Sequence, residues 1–170
     1  MNIKESFAAI IADFRLPRYN ELPNMGLYLD QVTKYINGYI TPLGLAEITP
    51  SMVSNYVKKG VVTAPVKKQY NADQIAYLMF VTIGKTVLSI ENITQLFSMQ
   101  KLVYDAPTAY DYFCCEFENI LRYISGLKDN LDRIGQTDTD EKDMLRSVII
   151  ALSNVIYVNN CFETKKAASD

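Results

Sequence analysis

The chain contains no histidine. That absence removes the commonest general base at neutral pH, the commonest partner of a catalytic serine or cysteine, and most zinc ligand sets. Cysteine is scarce as well: three among 170 residues, two of them adjacent at Cys114 and Cys115. Three are too few for a disulfide framework, and neighbours in one helix point about 100° apart, so they do not converge on one ion. Cys114, Cys115 and Cys161 therefore read as small core residues rather than as thiolate ligands for a thiophilic metal. A glycine-rich phosphate loop, a nucleophile elbow and a spaced carboxylate motif are missing too. So is any run of 18 apolar residues that would span a membrane. The first residues are not a signal peptide, because Lys4, Glu5 and Asp13 interrupt the apolar run. These absences lead to the expectation of a cytoplasmic protein that is not an enzyme, needs no cofactor or metal, and does not enter a membrane.

Charge is present but unevenly placed. The net formal charge is −2, yet residues 1–104 hold 10 Lys/Arg against 7 Asp/Glu, whereas residues 105–170 hold 7 against 12. An N-terminal part able to approach phosphates and a C-terminal part that avoids them is the natural division. Within residues 46–70, Lys58, Lys59, Lys67 and Lys68 face only Glu47.

The stretch from Thr49 to Gly60 carries the most information. Thr49 suits an N-cap, Pro50 the first helical position, and Gly60 the left-handed residue just past the end. Met52, Val53, Tyr56 and Val57 share one side and belong to a core. Ser51, Ser54, Asn55 and Lys58 follow the i, i+3, i+4, i+7 spacing on the other side, with Lys59 at its edge. That stripe has hydrogen-bonding groups and positive charge but no acid, which suits a helix that reads the major groove. Its plainer alternative is an ordinary solvated face.

Around this element the apolar period places an amphipathic helix at residues 3–14 and another at about 27–37. Val61 to Val66 is β-prone and broken by Pro65; with Lys67 and Lys68 at a tip and Gln69-Tyr70 returning, it reads as a short two-stranded wing. Asn71 and Ser89 cap two further helices. After Pro107, residues Tyr110, Phe113, Phe117, Ile120, Ile124, Leu127, Leu131 and Ile134 keep a 3-4 spacing that predicts about 36 Å of continuous helix. Asp138 with Glu141 resembles a capping box for a last helix over about 139–161. That helix is apolar almost all round from 148 to 158, which calls for burial from several sides and so for a neighbouring subunit.

The region from about Ile48 to Phe97 resembles the DNA-binding domain of MerR-type regulators. The elements that carry the likeness are Tyr56-Val57-Lys58-Lys59-Gly60, Pro65, Tyr70-Asn71 and Ser89-Ile90-Glu91-Asn92-Ile93. Leu27 to Val32 together with Thr49 to Lys58 are similar to a bacterial family of unknown function related to those regulators. The chain departs from the MerR pattern in having Ser54 where Arg is usual, in a longer link between the first two helices of the motif, and in a shorter wing. The resemblance implies a winged helix-turn-helix fold and a role in transcription.

The expected fold is thus all-α with a small β wing. Residues 1–104 would form a MerR-like winged helix-turn-helix domain with an N-terminal helical extension, and residues 105–170 a C-terminal antiparallel helical hairpin for dimerisation. The expected partner is double-stranded DNA, bound sequence-specifically by a homodimer formed through residues 107–161. Asn55, Ser51 and Ser54 would read bases, while Lys58, Lys59, Lys67 and Lys68, with Tyr70 beside them, would hold the backbone. Arg15 and Arg18 are further candidates for phosphate contact. An apolar pocket among the aromatic residues of the later helices would suit a small-molecule effector of unknown identity. The rival reading is a protein–protein interaction module that has lost DNA binding.

Overall fold

Every α-helix among the described residues except the one behind Tyr28 begins where a short side chain takes a free backbone N–H. The computed structural model describes residues 2–135 and 137–169 and forms seven α-helices among them. Helix α1 (Ile3–Ala12) opens with a reciprocal box in which Asn2 Oδ1 accepts from Glu5 N at 2.8 Å and Glu5 returns the bond at 2.8 Å. Helix α2 is Leu29–Ile40, α3 is Pro50–Lys58 behind Thr49, and α4 is Ala72–Gly84 behind Asn71. Helix α5 (Ile90–Val103) starts from Ser89, α6 (Ala106–Ser125) from Asp105, and α7 (Asp140–Ala167) from Thr139. Each such cap stabilises its helix by about 1 kcal/mol. The α7 cap is Thr139, one residue beyond the Asp138 expected from the sequence.

The protein is all-helical, and the β wing is not formed. No strand occurs among the described residues, which hold only two isolated bridges, Leu27 with Tyr70 and Val66 with Gln69. The cause is competition for backbone groups. Val61 and Val62 turn into the core, while the carbonyls of Thr63 and Ala64 accept from Gln74 Nε2 at 3.1 and 2.9 Å. Pro65 has no N–H to offer. A second strand finds nothing left to pair with.

The C-terminal pair of helices is not an antiparallel hairpin either. Both N-termini lie together, because the Tyr104 hydroxyl just before α6 meets Thr139 Oγ1 at 3.0 Å. Further along, Lys142 lies over the Tyr112 ring and Arg146 Nε approaches Glu116 at 3.5 Å, so numbering rises together along the two helices. They run parallel. The expected 36 Å helix stops at Ser125, where Gly126 adopts φ +83° and reverses the chain. The returning segment is held to α6 by Asn119, which accepts from Lys128 Nζ at 3.0 Å and donates to Asp132 O at 3.2 Å. Lys128 also pairs with Asp132. Leu127 and Leu131, read as heptad positions, are consequently exposed.

One apolar cluster runs from Phe7 to Ile156. Helix α4 is its centre, buried at almost every position from Gln74 to Gly84. Helix α1 packs on both α6 and α7, with Phe7 edge-on to Tyr157 at 5.1 Å. The segment after α1 lies against α6 as an extended strap. Tyr110 Oη donates to Pro17 O at 2.8 Å, Asp111 accepts from Tyr19 N at 2.7 Å, and Glu118 accepts from Leu16 N at 3.0 Å. Glu118 also takes both guanidinium nitrogens of Arg18, at 2.6 and 2.9 Å.

Helix α7 is apolar on two sides. Ile149, Leu152 and Ile156 are buried. Further round the helix Met144, Val148, Ala151, Val155, Val158 and Phe162 form a stripe spaced 4, 3, 4, 3, 4, with Phe162 59% and Val158 45% exposed and Val148 packed against the core. By length and composition alone α7 could cross a membrane, but its inner side is part of the core just described.

Replacing Glu118 by Ala strands the Leu16 N–H and the Arg18 guanidinium, whose side chain is only 21% exposed. The expected loss of unfolding free energy is about 2–3 kcal/mol, measured by chemical denaturation. A loss below about 0.5 kcal/mol, the range of an ordinary surface change, would show that the strap does not depend on this carboxylate.

Candidate nucleic-acid interface

The outward position of α3 is fixed from both ends. Upstream, Asn37 of α2 grips the connecting loop as a backbone strand would, donating to Ile48 O at 2.9 Å and accepting from Ile48 N at 2.8 Å. Thr49 Oγ1 then accepts from Met52 N at 3.2 Å, and Pro50 takes the first turn. Downstream, Gly60 at φ +73° closes the helix: its N–H reaches Val57 O at 3.0 Å, and Val61 N reaches Tyr56 O at 2.9 Å. Only a residue that tolerates the left-handed region makes this pair of bonds without strain. Val53 and Tyr56 are pinned in the core, where burial raises the Tyr56 phenol above its usual range.

With that side anchored, Ser51, Ser54, Asn55, Lys58 and Lys59 all come out exposed. The loop between α2 and α3, with its single 3₁₀ turn Thr41–Leu43, is longer than the tight turn of a helix-turn-helix. The stripe offers neutral donors and acceptors followed by two ammonium groups.

Lys67 and Lys68 lie at a separate tip. Val66 and Gln69 exchange two backbone bonds, 3.1 and 2.9 Å, around these two residues. Both lysines have positive φ, 51° and 63°, as a two-residue reversal of the type I′ kind demands. Asn-Gly is the sequence such a turn favours, and each left-handed non-glycine residue costs of order 1–2 kcal/mol. The tip is anchored by Gln69, whose side chain fills the space where Gly26 would carry a Cβ.

Tyr70 leaves the expected contact set. It is 4% exposed, and its backbone pairs with Leu27 at 2.8 and 3.0 Å, so its ring serves the core. Arg15 and Arg18 are engaged as well, the first by Glu21 at 2.7 Å and the second by Glu118. Sequence reasoning missed Met25 and Val66, exposed at 88% and 72% on the two segments that form the tip. An apolar residue beside Gly26 and another beside Lys67 gave no periodic signal. Asn37 and Gln74 were missed for a related reason, since their partners lie 10 or more residues away.

Among the described residues no group of three or more His, Cys, Asp or Glu could hold a metal ion. Cys114 is buried beside Pro17 O, and burial pushes its thiol up to about 12. Cys115 and Cys161 are partly exposed and sit on different helices.

Fold and surface together define a helical protein that presents one short polar helix and one basic turn from a shared core. The chain belongs to the family described as Domain of unknown function (DUF1836), whose model matches residues 17–113. The α3 stripe and the lysine tip fall inside that part, whereas α1 and α7 fall outside it. No curated protein and no solved structure matches the chain.

Changing Lys67 to Asn together with Lys68 to Gly should raise unfolding free energy by about 1–2 kcal/mol, because the new pair fits positive φ. Chemical denaturation of the double variant measures it. An unchanged midpoint would show that the wild-type turn holds no backbone strain.

Proposed function

We propose that the protein is a sequence-specific DNA-binding regulator of the cytoplasm that lays α3 in the major groove and acts as a dimer joined through α7. The observation that carries this reading is the acid-free stripe of α3, held outward by Asn37 and Gly60 and free of cover along its length. Asn55 suits bidentate recognition of adenine; Ser51 and Ser54 suit either partner of a base pair. Lys58 and Lys59, at the end of α3, suit phosphates. The lysine tip supports the same reading, because a costly backbone conformation kept at two adjacent cations points to a task for those cations. The likeness of Ile48–Phe97 to MerR-type DNA-binding domains favours it as well, without the wing.

The outer side of α7 supplies the argument for a dimer. Its apolar residues keep the 4-3 spacing of a coiled-coil seam over about 27 Å, with Val148 at the edge against the core, and a second copy offers the matching seam. Two-fold pairing then calls for a palindromic site.

A protein–protein module on the same scaffold is the second reading. Exposed Met25, Tyr28 and Val66 favour it, since apolar side chains around a basic tip fit a protein partner better than a phosphate backbone.

Selection of bound duplexes from a random pool, followed by polarisation titrations at two salt concentrations, separates the readings. Affinity should fall steeply with salt, by a log–log slope of about 0.9 per phosphate contacted. Asn55→Ala should lower discrimination between the best site and its single-base variants by about 1–3 kcal/mol. Lys67→Ala with Lys68→Ala should weaken every duplex alike and flatten the salt slope. No salt-sensitive binding would leave the protein–protein module as the better account.

Val158→Glu should convert the dimer to a monomer in sedimentation experiments and lower DNA affinity by at least about tenfold, since two half-sites no longer act together. A wild-type chain that sediments as a monomer at all concentrations would refute the α7 seam.

A further inference from the structure

A cavity of about 240 Å³ lies where the first turns of α7 meet α4, α5 and α6. Its walls include Tyr77 and Phe80 of α4, Phe97 and Gln100 of α5, and Tyr112 and Phe113 of α6. These rings hold one another in place. Tyr77 meets Phe97 edge-on at 4.7 Å, Phe80 meets Phe97 at 5.6 Å, and Phe80 meets Phe113 at 5.0 Å. Edge-to-face aromatic pairs resist collapse, so the space is preformed rather than a gap that loose side chains could fill. A dry cavity of about 150 Å³ with similar apolar walls accommodates benzene. This one has room for a second ring.

Charge narrows the ligand further. The ammonium of Lys101 sits 5.0 Å from the Tyr77 ring and that of Lys142 sits 5.4 Å from the Tyr112 ring. Both are within the range at which a ring face attracts a cation, so one face of each tyrosine already has a cationic partner. Glu141 and Lys142 both border the cavity and offset each other. An ion of either sign would lose its water here without gaining an unopposed partner. Neutral polar groups in the lining include the Gln100 amide, which accepts from Tyr77 Oη at 3.0 Å and donates to Tyr104 O at 2.6 Å, and the buried Tyr112 hydroxyl, which has no hydrogen-bond partner among the described residues. We propose that the cavity between α4, α5, α6 and α7 is a binding site for a small, uncharged, largely aromatic molecule of one or two rings that carries a single hydrogen-bonding group. The site is independent of α3 and stands whether or not the protein binds DNA.

Indole is a suitable probe. The chain has no tryptophan, so the emission of indole excited beyond the tyrosine band comes from the probe alone. Titration of the full chain should give a saturable blue shift with one site per chain and half-saturation in the micromolar range. Indole-3-acetate and tryptamine, which carry the same rings with one negative or one positive charge, should bind at least about tenfold more weakly. Ala109 borders the cavity, and Ala109→Phe should abolish the shift by filling it. Thr108 is exposed at the rim, so Thr108→Phe should weaken binding even where the change at half-buried Ala109 disturbs folding. Circular dichroism and the thermal midpoint identify which variants are folded. Absence of a saturable shift overturns the proposal, and so does binding left intact in a folded Ala109→Phe or Thr108→Phe chain. Tighter binding of either ion than of indole overturns the assignment of an uncharged ligand.

Discussion

The arrangement depends on a single strap of extended chain that would be ruinous without partners. Residues 16–19 leave α1 and run along α6 with buried backbone, where each unpaired polar group costs one or more kcal/mol. Tyr110 and Asp111, neighbours on one turn of α6, and Glu118, two turns further on, take those groups one by one. Arg18 then neutralises Glu118 with a two-pronged contact, and the acid in turn holds the Arg18 guanidinium above its already high range. Once the strap is fixed, α1 has one place left, across α6 and α7. The chain leaves the strap pointed toward α2.

Side-chain amides do similar work elsewhere. Asn37 stands in for a strand partner of Ile48, Gln74 for one of Thr63 and Ala64, and Asn119 for one of Asp132. Each turns an irregular segment into a fixed one without a sheet. The gain is geometric: α3 is pinned at both ends although no strand among the described residues supports it, and the proposed recognition surface would need such rigid support. The lysine tip belongs to the same economy, since its reversal is closed by a single pair of residues and its side chains are left to solvent.

Helix α7 joins three roles in one element. Its inner side completes the core, its first turns border the aromatic cavity, and its outer side carries an apolar seam. A bare apolar seam favours association, and this is the ground on which a dimer is proposed. Glu141, Lys142 and Leu145 border the cavity while the seam starts at Met144, so the two lie on different faces of one helix.

Sequence alone determined where most helices lie and several of their ends. Thr49, Asn71 and Ser89 cap within three residues of themselves, and Gly60 ends α3 through bonds inside one turn; such signals need no tertiary context. The same locality made the exposed stripe of α3 readable, since Val53 and Tyr56 could only face inward. Tertiary structure decided whatever required two distant groups to compete. Val61–Val66 is β-prone, yet Gln74 takes its carbonyls first. Tyr70 is aromatic and next to a basic tip, yet its pairing with Leu27 draws it inside. The heptad spacing past Gly126 is real, yet a left-handed glycine and the grip of Asn119 outweigh it, and the direction of α7 changes as a result. Periodicity records which face is apolar; it cannot record which donor reaches an acceptor first.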